Sequence, residues 1–176
     1  VLVQDSPVIP EEIKVIYFFG VAGVGKNFVA DILGEITGIP VYHADTDLTE
    51  EIKEAINQKK PFNQEMRDRY FEKISEKIKT KIQEHGRIVV TQATFKEKNR
   101  NFLQQEIPGI FFIWVDAPEA LVMERLQSRG DKVDPAYGAK IKKDFEEPDE
   151  VVPRLVNVGD KYEIIERLSM IFQKYA

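Results

Sequence analysis

Gly20-Val21-Ala22-Gly23-Val24-Gly25-Lys26 is the segment whose residue types and spacing most plainly suit a chemical task. Its glycines permit a tight loop whose backbone N–H groups can surround phosphate oxygens. The helical stretch over residues 27–36 turns its positive N-terminal end to the same space, and Lys26 can set its ammonium against β- and γ-phosphates. A glycine-rich strand-to-helix turn with a solvated lysine is the plainer alternative. It accounts for the glycines but not for the agreement of spacing, lysine and flanking elements. One position departs from the pattern: the residue after the lysine ordinarily carries a hydroxyl that joins a Mg²⁺ shell, and here it is Asn27. An amide oxygen is an acceptable ligand for a hard cation, which makes Asn27 the candidate metal contact.

The elements that must position this loop are legible as alternating periods. Lys14-Val15-Ile16-Tyr17-Phe18-Phe19 leads into the loop and reads as a strand buried on both faces. Ile39-Pro40-Val41-Tyr42, Ile88-Val89-Val90-Thr91 and Ile110-Phe111-Phe112-Ile113-Trp114-Val115 look alike, and Arg154-Leu155-Val156-Asn157 is a weaker fifth run. Between them, Phe71, Ile74, Ile78 and Ile82 recur at helical spacing, as do Ile164, Leu168, Ile171 and Tyr175. Pro118 is placed to open a helix over residues 119–128, with Asp116 read as its cap. The pattern predicts an α/β phosphate-loop NTPase fold, a five-stranded parallel sheet with helices on both faces. Residues 1–13, broken by Pro7 and Pro10, read as an N-terminal arm, and residues 14–176 as one domain in which the charged stretch 129–148 forms a mobile lid.

Further segments follow in a telling order. Pro40-Val41-Tyr42-His43-Ala44-Asp45 carries an acid at the exit of the second strand, and Phe62-Asn63-Gln64-Glu65-Met66-Arg67 ends in an arginine. Phe95-Lys96-Glu97-Lys98-Asn99-Arg100 comes after the third strand. Glu124-Arg125-Leu126-x-x-Arg129, Pro135-Ala136 and Phe145-Glu146-Glu147-Pro148-Asp149-Glu150 come later. Together they resemble the small sugar-acid and shikimate kinases, most nearly the gluconate kinases, over almost the whole chain after the arm. The resemblance implies ATP and Mg²⁺ as cofactors and phosphoryl transfer to a small carboxylated metabolite, gluconate-like, with shikimate or another small metabolite as the alternative. It also implies roles: Asp45 binds the attacking hydroxyl and accepts its proton, Arg67 and Arg100 hold a substrate carboxylate, and Arg125 and Arg129 belong to a lid that meets the nucleotide. A turn or capping role competes for Asp45, with Asp47 favoured as the capping or solvated member of the pair.

Departures from the family pattern are specific. His43 stands where shikimate kinases have an acid that organises the metal; a hydrogen-bonded strand-end histidine is the reading preferred here. Asp68 and Arg69 follow Arg67 where gluconate kinases carry aromatic residues, and Ala93 replaces a serine, leaving Gln92 and Thr94 as side chains able to reach metal-bound water. Asn27, His43 and Ala93 keep open a second class of function, a nucleotide-binding module with weakened or lost kinase activity.

Composition narrows the partners. A formal charge of −5 argues against nucleic acid as the main ligand. Without cysteine there is no disulfide framework or thiolate site, which fits a cytoplasmic location. The longest apolar run, residues 15–24, is too short for a bilayer and is preceded by Glu11 and Glu12, so neither a membrane nor a secretory signal is expected. The expected partner is a small hydroxy acid, with a homodimer as an allowed assembly.

Overall fold

The structure is a computed structural model and describes residues 6–130 and 143–175. Five strands, β1 (Val15–Phe19), β2 (Val41–His43), β3 (Ile88–Thr91), β4 (Ile110–Asp116) and β5 (Arg154–Val156), form one sheet in the order β2-β3-β1-β4-β5, and every neighbouring pair is parallel. Parallel strands need crossovers that pack on the sheet. Those crossovers are α1 (Lys26–Thr37), α2 (Glu50–Asn57), α3 (Gln64–His85), α4 (Glu97–Glu106) and α5 (Glu119–Ser128), and α6 (Lys161–Tyr175) closes the chain. Among the described residues no helix is long and apolar enough to cross a membrane.

The unbroken apolar character of β1 follows from its central place. Ile16 and Phe18 enter one core with Val29 and Leu33 of α1 and Leu168 and Phe172 of α6. Val15, Tyr17 and Phe19 enter the other with Ile74 and Ile78 of α3 and Leu103 of α4. Alternate side chains of a strand face opposite ways, so a strand covered on both sides needs apolar residues at each position. Side chains also set the helix limits. Thr49 accepts from the Ile52 N–H at the start of α2, and Asn63 accepts from the Met66 N–H at the start of α3.

Residues 6–13 contain no helix or strand; Ile13 belongs to the core, and Arg87 donates to the Ile13 and Pro10 carbonyls at 2.8 and 2.7 Å, strapping this segment down. Two capping roles are corrected. Asp116 does not cap α5: it accepts from the Ala117 N–H (2.9 Å) and pairs with Arg154, because the chain needs Ala117 and Pro118 to turn before the helix can begin. Of the two roles open to Asp47, the cap of α2 falls to Thr49, which lies nearer its first turn; Asp47 stays partly exposed and accepts from the Tyr42 hydroxyl at 2.6 Å, a bond that holds its carboxyl below the usual range.

The strand order places a crevice above the C-terminal ends of β1 and β3, where successive connections leave in opposite directions. Gly20 exits β1 there with φ +154°, and a Cβ on it would lie 2.4 Å from the Val115 carbonyl oxygen. Gly20→Ala is therefore expected to cost about 2 kcal/mol or more and to lower Tm by roughly 4–8 °C in a thermal melt; an unchanged Tm would show that β1 and β4 can separate without loss.

Candidate active site

The phosphate loop is held from behind. Arg125 of α5 donates to the Gly23 and Val24 carbonyls (3.2 and 3.0 Å) and to the Asn157 carbonyl (3.2 Å), while the buried Asn157 side chain donates to the Val24 carbonyl at 2.9 Å. In a trans peptide the C=O and the next N–H point in opposite directions. Fixing the Val24 carbonyl on Arg125 and Asn157 thus aims the Gly25 N–H away from them, while the Val24 N–H turns back to the Val21 carbonyl at 3.4 Å. The sequence reading puts Arg125 on the nucleotide; the structure turns its guanidinium onto the loop's own backbone, because α5 packs against the loop at Val122 and Leu126. Gly23 and Gly25 both have positive φ, and a Cβ on Gly25 would lie 2.2 Å from Asn157 Nδ2.

The start of α1 differs from the starts of α2 and α3. Its N-cap, Gly25, provides no side-chain acceptor, and its first turn contains no acidic residue. Uncapped N–H groups and a positive helix end are what a triphosphate requires. Lys26 is 9 % exposed, and burial pulls its pKa down; the Asp45 carboxylate opposes that shift and the Arg129 guanidinium adds to it. Lys26, Asp45 and Arg129 thus share one electrostatic environment although they come from three separate segments. Arg129 itself is exposed at the C-cap of α5; of the 129–148 stretch read as a lid, residues 131–142, with Pro135 and Ala136, lie outside the described residues.

Beside the loop opens a cleft of about 630 Å³ lined by Asp45, Arg67, Tyr70, Gln92, Asn99 and Asp144 among apolar neighbours. Asp45 lies in a 3₁₀ turn (Ala44–Asp47) directly after β2 and accepts from Gln92 Nε2 at 2.9 Å. The Gln92 amide cannot flip without loss, because its oxygen accepts from the Thr94 N–H (2.6 Å) and the Thr94 hydroxyl (3.2 Å). Thr94 has φ +44°, and its hydroxyl also bonds the buried Tyr17 hydroxyl at 2.7 Å. A threonine in left-handed backbone is costly and persists only where its surroundings enforce it. The sequence suggested Gln92 and Thr94 for metal-bound water; in the structure they form the hydrogen-bonded support of Asp45. A polar residue ending an otherwise apolar strand was the available signal, and the same signal marked Asn157.

The two substrate arginines separate. Arg67 lines the cleft with its guanidinium 5.0 Å above the Phe62 ring, and no carboxylate of the described residues pairs with it. Arg100 does not line this cleft. It is 5 % exposed, donates to the Thr94 and Glu146 carbonyls (2.8 and 2.6 Å) and lies over the Phe19 and Phe145 rings, so that burial lowers its pKa. Asp68 and Arg69 tie α3 to its neighbours. Asp68 accepts from Lys98 and Asn99 of α4, and Arg69 forms a two-bond fork with Glu51 of α2. His43 bridges Thr91 (2.8 Å) and Asp31 (2.9 Å), the strand-end role preferred from sequence.

Asn27 is exposed in the first turn of α1, and among the described residues no group of three or more His, Asp or Glu side chains could hold a metal by itself. Mg²⁺ retains several waters and is commonly bound by phosphates plus one or two protein oxygens, so this donor set fits an ion carried in with a triphosphate. Two outcomes are expected. Arg125→Ala should weaken ATP binding about tenfold or more, read by calorimetry, as two loop carbonyls lose charged donors. Gln92→Leu should lower turnover more than nucleotide affinity, and equal losses in both would place Gln92 in the nucleotide site instead.

The family model for shikimate kinase matches residues 22–154. No curated protein sequence matches the chain. Among solved structures it is similar to a gluconokinase from Sinorhizobium meliloti 1021, with TM-score 0.78 and 21 % identity over 94 % of each chain. It is also similar to a shikimate kinase from Acinetobacter baumannii in complex with shikimate (0.66, 15 %, 93 % of this chain and 95 % of that one). A third likeness is to an APS kinase from Mycobacterium tuberculosis in complex with AMPPNP and APS (0.63, 17 %, 94 % and 99 %). At such identities these likenesses speak for the fold. Because the shikimate kinase match runs from inside the phosphate loop to the first residue of β5, the chain belongs to the shikimate kinase family and is a P-loop small-molecule kinase.

Proposed function

We propose that this kinase transfers the γ-phosphoryl group of ATP to a hydroxyl of a small carboxylated metabolite, a hydroxy acid of the gluconate or shikimate kind. The observation that carries this reading is the position of Asp45, which lines the cleft and at the same time acts on the charge of Lys26. The acceptor hydroxyl donates to the Asp45 oxygen not taken by Gln92. As its oxygen forms the new bond to the γ-phosphorus and the bond to the ADP oxygen breaks, Asp45 takes the proton. Lys26 and the loop N–H groups stabilise charge on the phosphate oxygens, and Arg129 adds a second cation on that side. Arg67 fixes the acceptor by its carboxylate, with Phe62 supporting the guanidinium plane. Mg²⁺ bound with the triphosphate would neutralise β- and γ-phosphate charge, and Asn27 would be the loop residue to offer it a side-chain oxygen.

Magnesium-dependent ADP release, measured with a panel of sugar acids, cyclic hydroxy acids, nucleosides and nucleotides, tests the reading. Acceleration by a hydroxy acid is expected. Binding of ATP with no acceleration by any member would instead favour a nucleotide-binding module, for which Asn27 and the commitment of His43 to Thr91 and Asp31 are the supporting features. Asp45→Asn is expected to reduce kcat by about 10²–10⁴-fold with ATP affinity little changed; Arg67→Ala should raise the acceptor KM by roughly 10–100-fold. Asn27→Ser should preserve or increase metal-dependent turnover, and its complete loss would show that Asn27 has a role of its own.

A further inference from the structure

The reading of the cleft as the acceptor site leads to a statement about the acceptor's body, because the polar side chains there are already occupied. Tyr70 donates to the Ala44 carbonyl at 2.7 Å and accepts from Gln92. Gln92 is saturated at both ends by Asp45 and Thr94, and Thr94 is 1 % exposed and held by Tyr17. Asn99 accepts from Gln64 (3.0 Å) and donates to Asp68 (3.1 Å). Among the described residues that line the cleft, the polar side chains left for a ligand are Asp45 with one oxygen, the Arg67 guanidinium and Asp144.

The other described side chains of the wall are apolar: Leu48 comes from the turn after β2, Ile52 from α2, Phe62 from the connection between α2 and α3, Phe71 from α3 and Phe95 from the segment after β3. A polyol acid entering this space would turn several hydroxyls toward carbon. Each hydroxyl stripped of water without a replacement partner costs about 1–3 kcal/mol, whereas each apolar Å² buried there contributes about 25 cal/mol. Apart from one further donor that Asp144 can accept from, the wall therefore discriminates against additional hydroxyls and favours methylene, alkene or aryl carbon between the groups held by Asp45 and Arg67.

We propose that the preferred acceptor carries one reacting hydroxyl and one carboxylate on a mainly apolar skeleton, cyclic or aryl, with the hydroxyl on Asp45, the carboxylate on Arg67 and the skeleton against Leu48, Phe62 and Phe95. This goes further than the hydroxy-acid reading and rests on it. The test compares gluconate and shikimate with 3-hydroxycyclohexanecarboxylate and 4-(hydroxymethyl)benzoate in the magnesium–ATP assay, with the phosphorylated product identified by mass. At least one apolar-skeleton acid is expected to exceed gluconate in kcat/KM by tenfold or more. Leu48→Gln should erase at least that tenfold margin while ATP affinity, read by calorimetry, stays the same. Gluconate outperforming both apolar acids, or a margin that survives Leu48→Gln, overturns the proposal. Should no acid of either class stimulate turnover, the kinase reading fails separately. Calorimetric binding of the same acids then decides this inference: a tenfold tighter Kd for an apolar acid, lost in Leu48→Gln, upholds it, and equal or weaker binding than gluconate refutes it.

Discussion

A loop that binds a triphosphate must present several backbone N–H groups to a space the protein leaves open, and the peptide carbonyls on their other side then need partners. Here Arg125 and Asn157 supply them, from the end of β4's crossover helix and from the residue after β5. Both are held in turn. Asn157 donates its own N–H to the Asp116 carbonyl at 2.7 Å, and its carbonyl accepts from Arg125. The loop's geometry thus depends on β4, α5 and β5 being in place, and a short glycine-rich segment gains a definite shape without filling the phosphate space with side chains.

The second half of the site is organised by a single amide. Gln92 is 8 % exposed at the exit of β3 and connects Asp45, Tyr70 and Thr94, while Thr94 reaches back to Tyr17 in the middle of β1. Desolvation raises the Tyr17 and Tyr70 pKa values, which keeps both hydroxyls protonated and available as donors. A buried polar network of this kind contributes only when its members are satisfied. Its satisfaction accounts for the strained backbone at Thr94 and explains why the described residues lining the cleft have so few uncommitted polar side chains.

Electrostatics joins the two halves. Lys26 is nearly buried, and its charge is opposed by desolvation and by Arg129 but supported by Asp45. A phosphate placed against Lys26 and Arg129 would relieve the repulsion between them. Arg100 illustrates the opposite use of the same chemistry. Its guanidinium forks onto two carbonyls and covers aromatic rings, which joins α4 to residues 145–146 and gives it nothing to offer a substrate.

The five strands, their parallel character and the loop that follows the first were readable from the chain alone, because strands covered on both faces must be apolar throughout and because glycine spacing with lysine has one common use. The bounds moved by only a residue or two, as at β2, where Pro40 precedes the ladder rather than joining it. Arginine roles were not readable in the same way. Arg67, Arg100 and Arg125 are chemically identical, and the family resemblance alone points each of them to a ligand. Tertiary packing then directed one into the cleft, one into the core and one behind the loop, since a guanidinium's partners are set by elements distant in sequence. The support of Asp45 was hidden for the same reason: Gln92 lies 47 positions away, and only the β2-β3-β1 strand order brings β2 beside β3 and sets Asp45 next to it.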